Sequence, residues 1–169
     1  MNRDKRLIET RKLVNPMAKQ SLHILLVEDD PVDAEAILRT LQRHQLTMPY
    51  THVVDGVEAL RALRGERGYI PIPKPYLILL DINLPRMNGL EFLSALRRDP
   101  ELKQSVVFVL TASDREEDIA AAYNRQIAGY LLKSKVSEDF LTFLKLVDLY
   151  GVMIEMPRWN KGEDNRKNS

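Results

Sequence analysis

Apolar and polar positions alternate along the chain in blocks whose period switches regularly between strand-like and helix-like. His23–Val27 is a short aliphatic run that stops at Glu28, Asp29 and Asp30. Asp30 and Pro31 then read as an N-cap and a first helical residue, and Ile37, Leu38 and Leu41 recur at helical spacing through Gln45. Tyr50–Val54 alternates as a strand, Val57–Arg64 repeats apolar positions as a helix, and Pro71, Pro73 and Pro75 stiffen a loop before the next strand. Tyr76–Leu80 is almost continuously apolar, the pattern of a strand buried on both faces, and it ends at Asp81. After a loop over Ile82–Asn88, punctuated by Pro85, residues Leu90, Phe92, Leu93 and Leu96 mark a third helix that ends at Asp99-Pro100. Val106–Leu110 is a fourth strand running into Thr111, and Ser113 with Glu116 has capping-box spacing for the helix carrying Ile119 to Tyr123. Gly129–Leu132 is a fifth strand ending at Lys133, and Phe140–Tyr150 a fifth helix.

Strands that each lead into a helix predict a parallel sheet with right-handed crossovers and helices on both faces. The chain is too short for a closed barrel of eight such units, which takes roughly 250 residues, so an open sheet is expected. Open sheets of this kind bind ligands outside the carboxyl ends of their strands. Those positions hold Glu28, Asp29 and Asp30 after the first strand, Asp81 after the third, Thr111 after the fourth and Lys133 after the fifth.

Composition narrows the picture by exclusion. The 169 residues suffice for one α/β domain with short extensions: an arm over 1–20, a domain over 21–150, and an extension over 151–169. No attached output domain is expected, and Met17 is an alternative start. Lys and Arg (25) nearly balance Asp and Glu (24), so bulk charge does not point to nucleic acid or an anionic membrane. There is no cysteine, which removes disulfides, thiolate metal sites and cysteine nucleophiles. No apolar run approaches the roughly 20 residues that span a bilayer, so the expectation is a cytoplasmic protein. The histidines His23, His44 and His52 lack acids at ligand spacing and are read as structural.

Carboxylates crowded at one end of a sheet repel one another unless a cation neutralises them. Magnesium suits them, since it takes one or two carboxylates, keeps several waters and leaves positions for phosphate oxygens. Phosphoryl transfer depends on positioning and charge stabilisation, which requires a nucleophile, a hydroxyl and a cation. Asp81, Thr111 and Lys133 can supply these three.

The segments VEDDP (27–31), LLDINLPRMNG (79–89), LTAS (110–113) and YLLKS (130–134) resemble the receiver domain of bacterial response regulators, over roughly Leu22 to Leu149. The resemblance implies a flavodoxin-like, doubly wound α/β fold whose five parallel strands run in the order 2-1-3-4-5. It implies an aspartyl phosphate on Asp81, and Mg2+ held by Asp29, Asp81 and the main-chain carbonyl of Asn83 with Glu28 assisting. Thr111 and Lys133 would contact the phosphoryl group, and Tyr130 would be the switch aromatic that moves inward when the threonine engages phosphate. The phosphate would come from a histidine kinase or a histidine phosphotransfer protein. Segments 69–85, 99–113 and 116–133, with the ending MIEMPRW, are further similar to single-domain regulators paired with phytochrome-type histidine kinases.

One departure stands out: the family usually has Lys-Pro after the fifth strand, often with a cis bond, and this chain has Lys133-Ser134. Phe140 to Met156 carries more apolar residues than one stripe needs, which predicts a homodimer built on the last helix and the MIEMPRW segment, the alternative being a C-terminal segment folded back on its own domain. Two other function classes stand beside the switch. One is a phosphorylation-independent adaptor, motivated by Ser134. The other is a small magnesium-dependent phosphohydrolase, which lacks a second acid two residues after Asp81, where Asn83 stands.

Overall fold

The computed structural model describes residues 22–43, 48–135, 142–147 and 149. Five parallel strands form one sheet in the order β2-β1-β3-β4-β5, with β1 at His23–Val27, β2 at Tyr50–Val53, β3 at Tyr76–Leu80, β4 at Val106–Thr111 and β5 at Gly129–Leu132. The helices α1 (Pro31–Arg43), α2 (Gly56–Arg64), α3 (Gly89–Arg98) and α4 (Glu116–Tyr123) alternate with them, and residues 142–147 are helical again. The expected flavodoxin-like receiver topology is therefore the observed one.

The strands' period of two divides the core. Leu25, Val27, Ile78, Leu80, Val107 and Val109 face α2, α3 and α4, where they meet Leu60, Phe92, Leu93, Leu96 and Ala122. Ile24, Leu26, Leu77, Leu79 and Leu110 face the opposite way onto Ile37 and Leu41 of α1 and onto Leu144 and Val147. Burial on both faces is why β1 and β3 are apolar at every position rather than alternating. Phe108 and Phe143 pack edge to face at 4.8 Å between ring centres. Among the described residues of this last helix, Leu146 and Leu149 are 59% and 52% exposed.

Local chemistry sets most element ends. Asp30 caps α1, its Oδ1 accepting from the amides of Val32 at 2.8 Å and Asp33 at 3.2 Å. The helix ends at Arg43, and its expected continuation to Gln45 lies outside the described residues, as does His44. Helix α2 begins one residue earlier than its apolar pattern suggests because Asp55 caps it, accepting from the Glu58 amide. Asn88 and Glu91 form a full capping box on α3. Strand β2 stops at Val53, one residue short of the expected end. Strand β4 extends through Thr111, which is in register with Leu132 of β5.

The box expected from Ser113 and Glu116 does not form. Helix α4 starts at Glu116 with Arg115 at the N-cap position and no side-chain cap. A Ser113 N-cap would have used its carbonyl as the first intrahelical acceptor, but that carbonyl accepts from the Tyr130 hydroxyl at 3.0 Å instead. The Ser113 hydroxyl meanwhile donates to Asp118 at 2.6 Å.

Arg97, at the C-terminal end of α3, ties the opposite pole of the sheet together. Its guanidinium donates to the carbonyls of Lys103, Ser105, Arg125 and Gln126 at 2.7–2.9 Å. No helix among the described residues is long and apolar enough to cross a membrane.

Candidate functional site

Chain direction does the assembly. In a parallel sheet all strands end at the same edge, so the residues after β1, β3, β4 and β5 become neighbours although they are far apart in sequence. The carboxylate oxygens of Glu28, Asp29 and Asp81 lie within 4.8 Å of one another. Glu28 and Asp81 are buried, at 1% and 6% exposure, whereas Asp29 faces solvent.

Lys133 enters this cluster from the end of β5. Its ammonium lies 2.7 Å from Glu28, 2.8 Å from Asp33 and 2.8 Å from Asp81. The Lys133–Ser134 peptide is trans, the cis bond among the described residues being Lys74-Pro75, and a 3-10 turn over Lys133–Lys135 follows. Proline is thus not required at position 134 for the lysine to reach the acids.

The remaining contacts orient individual atoms. Asp81 Oδ1 accepts from the Asn83 amide at 3.1 Å while its Oδ2 faces Lys133. Glu28 Oε1 accepts from the Asp30 amide at 3.1 Å. His52 supports the same loop from β2, its Nε2 lying 2.8 Å from the Glu28 carbonyl. His23 pairs with the Thr51 hydroxyl at 2.9 Å.

Burial pushes the Glu28 carboxyl up to about 7, with the Asp81 charge adding to it and Lys133 opposing. Burial works to lower the pKa of Lys133, but its hydrogen bonds to Asp33, Asp81 and Glu28 outweigh this and hold it above the ordinary lysine value. The ammonium is therefore a fixed positive charge in the cluster.

Thr111 is fully buried at the end of β4, and its hydroxyl lies 3.4 Å from the Ser113 amide. Tyr130 packs its ring against the α2–α4 side of the core and extends its hydroxyl to the Ser113 carbonyl. Burial raises its phenol pKa above the usual value.

The sequence-predicted residues Glu28, Asp29, Asp81 and Lys133 thus meet, and Asn83 approaches through its amide. Thr111 and Tyr130 join one another through the Ser113 segment. Asp33 was not foreseen. In the sequence it is only an acid in the first turn of a helix, a position that the helix dipole favours anyway.

Oxygen donors alone, held close and only partly neutralised by one lysine, fit a hard divalent cation such as Mg2+ better than a soft metal. An open α/β sheet in this strand order, with acids of the first and third strands gathered about a lysine of the fifth, defines a receiver domain. The family model for the response regulator receiver domain matches residues 24–145, and the chain belongs to that family.

Among relatives, the response regulator Rcp1 of Synechocystis is 34% identical over 127 residues, covering 75% of this chain and 86% of Rcp1. The crystal structure of the Mn2+-bound form of Rcp1 superposes with a TM-score of 0.69 at 32% identity, covering 80% of this chain and 99% of that one. A phosphorylated cyanobacterial phytochrome response regulator, RcpA, superposes equally well, with a TM-score of 0.69, 33% identity and coverage of 80% and 97%.

Proposed function

We propose that this protein is a phosphorylation switch in which Asp81 accepts a phosphoryl group from a phosphohistidine of a histidine kinase or a histidine phosphotransfer protein. An Asp81 oxygen bonds to phosphorus, the phosphorus–nitrogen bond breaks, and the imidazole leaves with the electron pair and takes up a proton. The observation that carries this reading is the approach of Lys133 to Asp81 at 2.8 Å, beside two further carboxylates, at the carboxyl edge of the sheet.

Each residue has a definable task. Asp29 and Asp81, with the Asn83 carbonyl and Glu28 assisting, would hold Mg2+, which when bound neutralises charge on the phosphoryl oxygens. Lys133 supplies a permanent positive charge to one of those oxygens once it turns from the Asp81 carboxylate. Thr111 offers its hydroxyl to another, and Tyr130 carries the resulting shift toward α4 and β5. The group gained by Asp81 bears about −1.5 to −2 charges, enough to rearrange polar contacts nearby.

Phytochrome-class kinases are the proposed donors, on the strength of the phytochrome response regulators among the similar structures. Homodimerisation through the last helix is proposed as well, because Tyr123, Leu146 and Leu149 stay more than half exposed on the α4 and C-terminal side. The MIEMPRW segment lies outside the described residues. Light scattering on the full chain and on one truncated after Tyr150 tests this, and a monomeric full chain would refute it.

The phosphorylation-independent adaptor was motivated by Ser134, and with Lys133 in contact with Asp81 that departure gives it no support. The test of the switch is intact-protein mass after incubation with acetyl phosphate and Mg2+. A phosphate-sized gain is expected in the wild type and is absent from Asp81→Asn or without magnesium; a gain in Asp81→Asn equal to the wild type would refute the assignment.

A further inference from the structure

Asp33 belongs to none of the roles assigned above, yet it makes one of the three contacts to Lys133. We propose that Asp33 is a positioning residue for phosphoryl transfer, holding the Lys133 ammonium at Asp81. The proposal rests on the reading of Asp81 as phosphoacceptor and asks how a lysine on the outermost strand β5 is kept there.

A lysine stem is flexible, and its ammonium is compact and strongly hydrated, so it stays in one place only where its donors are matched. The three donors of Lys133 find three separate acids, Glu28 after β1, Asp33 in α1 and Asp81 after β3. Two of these three have other duties. Asp81 is to be phosphorylated to an acyl phosphate, which removes a charge from the carboxylate that the lysine faces, and Glu28 belongs to the acid cluster suited to a metal. Asp33 is the one acceptor outside that cluster.

Its backbone is also well fixed. Pro31 begins the helix, and Asp30 binds the amides of both Val32 and Asp33. The Asp33 carboxylate sits on the solvent side, 43% exposed against 15% for the lysine, so it meets Lys133 where water would otherwise compete for the third donor. With Asp33 in place the ammonium has an anchor that survives phosphorylation of Asp81.

The test compares initial rates of phosphorylation by acetyl phosphate with Mg2+, read by intact mass, in wild type, Asp33→Asn and Asp33→Glu, and repeats Asp33→Asn in a Lys133→Gln background. Asp33→Asn should slow phosphorylation roughly three- to fivefold, the scale of one partly exposed ion pair. Asp33→Glu, which keeps the carboxylate, should recover most of that rate. In the Lys133→Gln background Asp33→Asn should change nothing further.

A wild-type rate in Asp33→Asn overturns the proposal, as does a faster one, and so does a loss that persists without the lysine. A wild type that gains no phosphate would overturn the phosphoacceptor reading itself, which separates the two failures.

Discussion

Replacing Gly89 with alanine tests how tightly α3 is locked against the candidate site. Gly89 is the first residue of α3, and its amide donates to the Ile82 carbonyl at 2.9 Å. A Cβ there would lie 2.5 Å from the Asp81 carbonyl oxygen, 2.7 Å from the Ile82 Cα and 3.2 Å from the Asp81 carbonyl carbon. Comfortable heavy-atom contacts begin near ~3.5 Å, so the methyl group intrudes by about 1 Å on backbone that has no rotamer to change. Either the Asp81 main chain moves or α3 recoils and loosens Phe92, Leu93 and Leu96, all of which are fully buried. Overpacking of this kind costs about 1–3 kcal/mol, and alanine's helix preference returns up to about 1 kcal/mol. From the middle of that range, about 2 kcal/mol lost and about 1 kcal/mol returned, the net expectation is a loss of about 1 kcal/mol, which lowers the urea midpoint by about 0.5 M for an m-value of about 2 kcal/mol/M. Phosphorylation by acetyl phosphate should fall as well, since the displaced backbone carries Asp81. Gly68→Ala is the control: its φ of 91° makes alanine strained, but nothing lies within 4 Å of the new methyl group. It should lose stability and phosphorylate normally. A Gly89→Ala protein as stable as the wild type would show that α3 has slack at its start and would refute the argument.

Two further outcomes follow from charges in and near the cluster. Glu28 is about 4.5 when free and about 7 in the fold, so the folded state holds its proton more strongly and the stability this gives is present below about 4.5 and lost as pH rises through about 7. Urea midpoints measured in chelator should decline over that interval, and Glu28→Gln should remove that part of the decline; an unchanged slope would show that Glu28 is not its source. Arg86 sits at a φ of 61° and pairs with the buried Asp55 and, at 3.4 Å, with Glu58. Arg86→Ala loses the pair and keeps the left-handed backbone, whereas Arg86→Gly loses the pair but relieves about 1 kcal/mol of backbone cost, so the glycine variant should be the more stable by that amount in denaturant titration. Equal stabilities would mean that the conformation at position 86 is not strained.

The parts legible in the sequence are those fixed by local pattern. β1 and β3 are continuous apolar runs ending in acids, and a parallel sheet with crossover helices brings its strand ends to one edge, where Glu28, Asp29, Asp81 and Lys133 meet; the strand order is implied by the resemblance to the receiver family and not by the pattern. The parts not legible depend on what arrives from elsewhere. Ser113 and Glu116 have capping-box spacing, but Tyr130 takes the Ser113 carbonyl and the helix begins later. Asp33 looks like an ordinary first-turn acid until Lys133, 100 residues later, closes on it. Nothing in the sequence singles out Arg86 or Arg97, and only the folded chain shows one in a left-handed turn on Asp55 and the other gathering four backbone carbonyls. Each of these is a tertiary pairing that no local period encodes.

The two sides of the site differ in how firmly they are held, and that difference bears on which way a signal could leave it. On one side α3 has a full capping box and buries Phe92, Leu93 and Leu96, so displacing it would open the core. On the other side α4 has no side-chain cap and buries only Ala122, while β5 is half-buried along its whole length. The link between Thr111 and α4 runs through a few hydrogen bonds at Ser113, each worth about 1 kcal/mol, against several kcal/mol for exposing three large side chains. A charge added at Asp81 would therefore move the structure along its cheaper direction, through Thr111 and Tyr130 toward α4 and β5. Tyr123, the last residue of α4, is 52% exposed. If Asp81 is the phosphoacceptor as proposed, the direction of signalling would be set less by where the phosphate sits than by which neighbouring helix is lightly anchored.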